Sequence, residues 1–421
     1  MKHINFSESI PIKGSYDVII AGGGVAGVAA AVAVARAKKR VLLIEKSIML
    51  GGLATLGRIN MYEPLCNGRG SHILRGMAEE FLKLSIRYGY DTLPAEWAKG
   101  EPAAPVKPRY WTRFSPAIFA LTMTELICDH GIDLLYDSVV SMPIMKNGHC
   151  EGVIVDGKSG REFYEAGVVI DTTGDADVLH RAGVPTVQGY NYFTYISHGV
   201  TIESCKKAAA SGRIQDADIG FSGGHASLYG HNHPEGMKRF EGTTAQSVTE
   251  FVVMNQRVLL DKIKKSDRGT REIFALPGMA QFRTTRRIDG EYTLLETDHY
   301  RHFEDSVGAI SDFDRRDFLY EVPYRCLIRN GYDNLITAGR SASGDGYGWD
   351  VLRVIPVAVL TGQAAGEAAV LSLASGKSIT DIDIAALQRS MTGTGVLLHF
   401  DDRLIPSAGS AVEATEDVGH L

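Results

Sequence analysis

The chain has 421 residues, with 44 Lys+Arg against 50 Asp+Glu and a net charge of −6. The length suggests two or three structural units, and the mild acidity argues against nucleic acid as the main partner, which usually demands a basic face. Hydrophobic residues make up 44% and charged residues 22%, which excludes disorder, collagen and coiled coil.

Glycine is the outlier, at 46 residues. It is costly unless the backbone must turn sharply or approach a ligand closely, so the excess points to a ligand cradled by main chain. Five scattered cysteines, Cys66, Cys128, Cys150, Cys205 and Cys326, form no CxxC pair. Reduced thiols in a cytoplasmic protein are expected, and no metal centre. The N-terminal residues lack the order of a signal peptide. The longest apolar helical stretch, Val25 to Ala37, is too short to span a bilayer, so no membrane partner is expected.

In chain order, residues 16–21 (YDVIIA) are a β-branched apolar run, predicting a buried parallel strand. Gly22-Gly-Gly24-Val25-Ala26-Gly27 follows, then an alanine-rich helix, then a second strand, Val41–Ile44, that ends on Glu45-Lys46. Strand, GxGxxG, helix, strand and acid make a dinucleotide-binding unit. Gly22 permits the tight turn, Gly24 lets backbone approach a pyrophosphate, and Gly27 lets helix pack close to strand. The helix N-terminus stabilises phosphate charge. Glu45 can accept hydrogen bonds from both ribose hydroxyls. The double glycine of Gly51-Gly52-Leu53-Ala54-Thr55 comes next.

Residues 91–113 hold four Pro and two Trp and read as a loop or small subdomain over the site. Residues 131–171 give several strands with turns at Lys146-Asn-Gly148 and Gly157-Lys-Ser-Gly160. Gly152 to Ser159 also matches a P-loop, but its middle residues read as a strand and its Lys-Ser as a hairpin turn, so no ATPase is inferred. A helix is predicted near 247–265, from Val248, Phe251, Val252, Asn255, Val258, Leu259 and Ile263 at helical spacing. The tail after Gly393 is expected to fray.

Segments 168–175 (VVIDTTGD) and 334–340 (NLITAGR), and a long alanine-rich helix over about 354–375, complete a pattern. With the double glycine, they resemble the FAD-dependent oxidoreductases of the glutathione-reductase superfamily. Within it, the chain resembles a bacterial family distantly related to fumarate reductase flavoproteins. The resemblance runs over about residues 15–376, through YWTRFSPAIFALTMTEL, QFRTTRRIDGEYTL, VPYRCLIRNGYDNLITAGR and RVIPVAVLTGQAAGEAA. It implies non-covalent FAD, held by Gly22, Gly24, Val25, Ala26, Gly27, Glu45, Lys46, Gly52, Leu53, Ala54, Val140, Thr173, Gly174, Gly339, Arg340, Asp345 and Val354. Many relatives carry Gly-Asp where this chain has Gly339-Arg340, so either Asp345 supplies the missing carboxylate or Arg340 pairs the pyrophosphate. Covalent attachment to Cys66 or His72 is the alternative to non-covalent binding. The helix beginning near Arg353-Val354-Ile-Pro356 would aim its dipole at the flavin.

The implied fold is α/β: a Rossmann-like FAD-binding domain (a parallel sheet with a β-meander) built from residues 1–75, 115–185 and 331–400. An inserted α+β substrate domain spans 186–330, and 76–114 is a small cap segment. For the chemistry, the residues bring forward Arg286 and Arg283, with Arg287, as anchors for an anion. If 282–288 is a strand, Arg286 stands alone on its face, which favours it. Of His225, His231 and His233, in a glycine-rich loop, His233 is carried as an acid or base. The expected activity is hydride transfer between a small hydroxylated or carboxylated metabolite and flavin N5, with an unidentified electron acceptor. Reduction of an activated C=C, or a flavin-dependent tRNA-modification role, are the alternatives.

Overall fold

Ile12–Ala21 is the spine of the main sheet, and its last four residues, Val18 to Ala21, are fully buried. On one side it pairs in parallel with Val41–Ile44, which pairs in turn with Asp133–Leu135. On the other side lies Gly160–Asp171, also parallel. This twelve-residue strand serves two further ladders. Its first half pairs antiparallel with His149–Gly157, and its last three residues pair in parallel with Leu335–Thr337. The meander Val139–Lys146, His149–Gly157 thus runs directly into the parallel sheet. Its first turn needs two left-handed residues, and Asn147 and Gly148 supply them at φ 50° and 83°. Lys158-Ser159 form the tip of the second hairpin, so the P-loop-like run is strand and turn, as predicted. Residues 4, 5 and 7–407 of this computed structural model are described, and they form the Rossmann-like α/β fold expected, with additional antiparallel sheet.

Two helices cover one face of the sheet. Val25–Arg36 is buried from Val25 through Val34. Ile355–Ser375 crosses it at backbone contact: a Cβ added at Gly362 would lie 2.2 Å from the Ala26 carbonyl oxygen, and one at Gly366 would lie 2.7 Å from that of Ala30. The alanine-rich composition of both helices follows from this, because only small side chains leave room. Ile355–Ser375, not Val25–Ala37, is the longest apolar helix among the described residues. It is long and apolar enough to cross a bilayer, and 78% of its most apolar window is buried inside the fold.

Residues 186–330 build a three-stranded antiparallel sheet with Thr194–Thr201 at its centre, flanked by Ile219–His225 and Arg271–Ala275. The helix predicted near 247–265 is Ala245–Lys264. It buries Phe251, Asn255 and Leu259, and Phe251 joins Phe193, Phe240 and Phe282 in a small aromatic core. The Asn255 side chain accepts from Gly224 N at 2.8 Å and donates to the Phe251 carbonyl, so this buried polar residue is satisfied. A hairpin, Ser306–Ser311 with Leu319–Pro323, lies against the long late helix, where Gly308 leaves room for Leu360.

The 91–113 segment is anchored by aromatic packing: Trp97 stacks on Tyr110 with ring centroids 4.7 Å apart. Buried Arg109 donates to the carbonyls of Cys66, Asp312 and Phe313. Beyond Gly393 the chain does not fray at once, since Val396 and Phe400 are buried; residues 408–421 lie outside the described residues.

Gly362→Val should force the two helices apart. Overpacking of this kind costs about 1–3 kcal/mol or more. Thermal unfolding should shift down and the purified variant should carry less FAD; an unchanged melting curve would show that the crossing relaxes freely.

Candidate active site

At the carboxyl ends of the parallel strands opens a cleft of about 1080 Å³, counting its mouth. This is where open α/β sheets bind ligands. The glycine loop contributes Gly22, Gly24, Val25 and Ala26, and the second strand's end contributes Glu45 and Lys46. Gly52, Leu53 and Ala54 come from the double-glycine turn and Val140 from the meander. Thr173 and Gly174 follow the long strand, while Gly339 and Arg340 follow the late one. Fifteen of the seventeen expected cofactor contacts serve this cleft as lining or as support. Gly27 is the support: a Cβ there would lie 1.9 Å from the Gly22 carbonyl oxygen, so it holds helix against loop without lining the cleft.

The donor set suits a dinucleotide with an adenosine end and a pyrophosphate. No side chain caps the Val25–Arg36 helix, and a Cβ built on Gly24 meets nothing within 4 Å. The first helical N–H groups are therefore open to an anion. Glu45 is 6% exposed, and its two oxygens accept from Gly23 N and Ser47 N, both at 2.7 Å. That pins the carboxylate and leaves lone pairs for ribose hydroxyls. Arg340 is set in the cleft by Asp175 at 2.8 Å and the Thr285 hydroxyl at 2.8 Å. Lining residues the sequence reading did not single out include Ser138, Thr172, Asp177 and Arg181.

Several expected residues lie elsewhere. Asp345 lines neither cavity; its side chain is 67% exposed and sits 3.8 Å from Arg287, so Arg340 rather than Asp345 stands at the cleft. Val354 lines a second cavity instead of the FAD cleft. Arg286 lines neither: it ion-pairs Asp177 at 2.7 Å and donates to the Asp175 carbonyl. The strand there spans only Arg286–Ile288, so the alternation that isolated Arg286 does not extend to Arg283. His233 is a loop brace. Its Nδ1 accepts from Phe193 N at 3.1 Å, and its Nε2 donates to the Met237 carbonyl. Cys66 and His72 face each other across an isolated bridge, and neither lines the cleft. No residue of 76–114 lines either cavity, so that segment does not roof the site.

The second cavity measures about 1070 Å³ and shares Leu53, Ala54, Arg353 and Ile355 with the first. Those residues surround the start of the late helix, so the two spaces adjoin there. Arg283 lines this cavity; burial, with the nearby positive Arg353, lowers its pKa to about 10. A second cation, Arg353, is steadied by Asp350 at 2.6 Å. Between them in function stands Glu63. Its Oε2 accepts from Ile355 N, the first N–H of the late helix, at 3.1 Å. Burial pushes the Glu63 carboxyl up to about 7, outweighing that hydrogen bond and Arg353. Tyr229 donates to Asp314 at 2.6 Å, and burial together with that carboxylate holds the phenol well above its usual range. Sequence reading could not assemble these residues, because positions 63, 229, 283, 314 and 353 meet only in the fold.

Residues 17–232 and 246–391 match the family described as FAD dependent oxidoreductase. The chain belongs to that family. FAD is therefore its cofactor, and the cleft residues are those that would hold it. This FAD-dependent oxidoreductase is also similar to several solved structures. p-Nitrophenol 4-monooxygenase from Pseudomonas putida DLL-E4 is 14% identical, over 90% of this chain and 84% of that one, with a TM-score of 0.46. L-Proline dehydrogenase from P. horikoshii is 14% identical, over 92% and 100%, at 0.41. A geranylgeranyl bacteriochlorophyll reductase-like protein from Thermoplasma acidophilum is 13% identical, over 93% and 94%, at 0.42. No curated protein matches the chain.

Glu45→Ala should lose FAD. Removing one partner of a buried charged hydrogen bond costs about 2–5 kcal/mol, and full flavin content after purification would rule out the ribose contact. Acid precipitation should release the flavin to the supernatant. A flavin mass retained on a peptide containing Cys66 or His72 would reverse the non-covalent assignment.

Proposed function

We propose that this flavoenzyme oxidises a small carboxylated metabolite bound in the second cavity and passes the electrons to a separate acceptor. The observation that carries this reading is a cavity adjoining the FAD cleft and lined by two arginines and a glutamate whose carboxyl burial pushes up to about 7. We assign residues 1–75, 115–185 and 331–400 to FAD binding and 186–330 to the substrate side. One cavity wall then comes from Leu53–Glu63 and Arg353–Ile355, the other from Thr194, Tyr229, Gln281–Arg283 and Asp314. Five unpaired cysteines, two of them exposed, suit a reducing cytoplasm.

Bound FAD supplies the hydride acceptor. The chain's own residues bind and handle protons. Arg283 presents a planar fork that a carboxylate can meet through two hydrogen bonds. Tyr229 keeps its proton on Asp314, so its oxygen accepts from a substrate hydroxyl. Glu63 takes up or releases a proton near neutrality, as a general base for alcohol oxidation must. The resemblance to fumarate reductase flavoproteins supports the opposite direction, reduction of an activated C=C, in which Glu63 would donate.

Flavin bleaching without oxygen, screened against short hydroxy acids, tests the reading; no bleaching by any carboxylated compound would reject it. Arg283→Ala should keep its FAD yet slow bleaching by ~10²-fold or more. Arg283→Lys should fall between. The Glu63→Gln variant separates the directions. If Glu63 is a base, the parent rate rises as pH passes about 7; if an acid, it falls. The variant should be flat in both cases, and an unaltered inflection would remove Glu63 from the chemistry. Stability carries the same signature. A folded carboxyl pKa raised from 4.5 to about 7 means that parent stability drops as pH climbs across that window. Glu63→Gln should abolish that drop in a pH series of thermal unfolding.

A further inference from the structure

Away from both cavities, three side chains converge on the hairpin that lies against the late helix. Glu321, in the strand Leu319–Pro323, has a fully buried side chain. Its Oε1 lies 2.5 Å from His302 Nδ1, and its Oε2 lies 3.0 Å from His399 Nδ1 while also accepting from Phe303 N at 2.7 Å. The three donor atoms sit within 4.8 Å of one another. On the far side of the His302 ring, Nε2 is 2.8 Å from Asp402 Oδ1.

The arrangement has a charge requirement. Asp402 fixes the His302 proton on Nε2, since an ionised carboxylate only accepts. A neutral His302 then turns the lone pair of Nδ1 onto the Glu321 carboxylate, and two acceptors in contact repel. That contact calls for a proton shared between the ring and the carboxyl, or for a metal ion in its place. Two features favour a metal as the fuller solution. A carboxylate on the outer nitrogen is the arrangement that orients metal-binding histidines. And His399 brings a second imidazole to the same carboxylate, making a two-His, one-Glu donor set of the kind that binds zinc and similar ions. Both His side chains are roughly half exposed, at 42% and 46%, so they can swing to bond lengths of ~2.0–2.2 Å, and solvent can complete the coordination.

We propose that His302, Glu321 and His399 form a binding site for a divalent first-row transition metal, with Asp402 orienting His302. Such an ion fastens the chain's later segment to the hairpin. That segment already leans on it: Ala309 N donates to the Leu397 carbonyl, the Ser306 hydroxyl donates to the Leu398 carbonyl, and His302 stacks on Phe400. The hairpin's other end carries Phe313 and Asp314, which wall the second cavity, so the clip braces that wall from a distance. None of the four residues lines either cavity.

The test uses tag-free holoenzyme, dialysed against a chelator and then against micromolar zinc. Bound metal is measured by elemental analysis, with FAD content and thermal unfolding read in parallel. One zinc per chain and a raised unfolding temperature are expected. His399→Gln, at an exposed position, should bind zinc at least tenfold more weakly with its FAD content unchanged. Asp402→Asn should weaken binding by 10–100-fold, as expected for an orienting carboxylate. No stoichiometric zinc in the parent overturns the proposal. So does equal binding by parent and His399→Gln, which would place the ion elsewhere. Glu321→Gln is the stricter variant; if it fails to fold, the His399 and Asp402 comparisons decide.

Discussion

Everything in the flavin site depends on two helices touching at their backbones. Gly362 and Gly366 of the late helix press onto Ala26 and Ala30 of the first. With only glycine and alanine at the crossing, the backbones meet, and the two N-termini are brought to the same cleft. One end, at Gly24 to Ala26, presents uncapped N–H groups suited to a pyrophosphate. The other, at Ile355, closes the opposite end of the cleft, where the second cavity begins. Two helix N-termini carry partial positive charge. Both would lie beside one polyanionic, electron-accepting ligand bound in the cleft.

The second helix start is not a bare dipole. Glu63 occupies its first N–H, and the competition there decides the carboxyl's state. The helix end and Arg353 favour the anion, while burial disfavours it, and burial wins, pushing the carboxyl up to about 7. Arg283 meets a similar conflict, since burial and Arg353 oppose its charge while Asp350 favours it. Arg283, Arg353 and Glu63 thus bring two cations and a carboxyl raised by burial to one cavity, with Asp350 holding Arg353. Charge rather than shape therefore leads the proposed assignment of substrate class.

The cofactor half of this architecture was legible in sequence because it is local. The glycine loop, Glu45, the double glycine and the Thr173-Gly174 and Gly339-Arg340 turns are short segments, each following a strand at a fixed offset, and the cleft draws on all of them. The helix at Ala245–Lys264 was readable from its periodicity for the same reason. The second cavity was not. Arg286 was favoured by an alternation that the chain does not follow, because Arg283 to Thr285 are not in a strand. His233 looked free in a loop but spends both ring nitrogens on backbone groups. Glu63, Tyr229, Asp314 and Arg353 stand in no recognisable pattern along the chain; only packing makes them neighbours. Asp345 was placed by analogy with a Gly-Asp pair, and the Asp175–Arg340 ion pair shows the position filled by opposite charge.

The walls of the FAD cleft run from Ala21 to Ala358, drawing on nearly every part of the nucleotide-binding sheet. A ligand lodged there touches segments that are hundreds of residues apart along the chain, so it acts as a non-covalent cross-link between the beginning and the end of the fold. By mass action, each hundredfold excess of free FAD over its dissociation constant adds about 2.7 kcal/mol to the folded state. That sum is comparable to a disulfide, in a chain whose described cysteines are all unpaired. The supply of flavin in the cell thereby becomes a determinant of how long this protein survives, and not only of whether it can react.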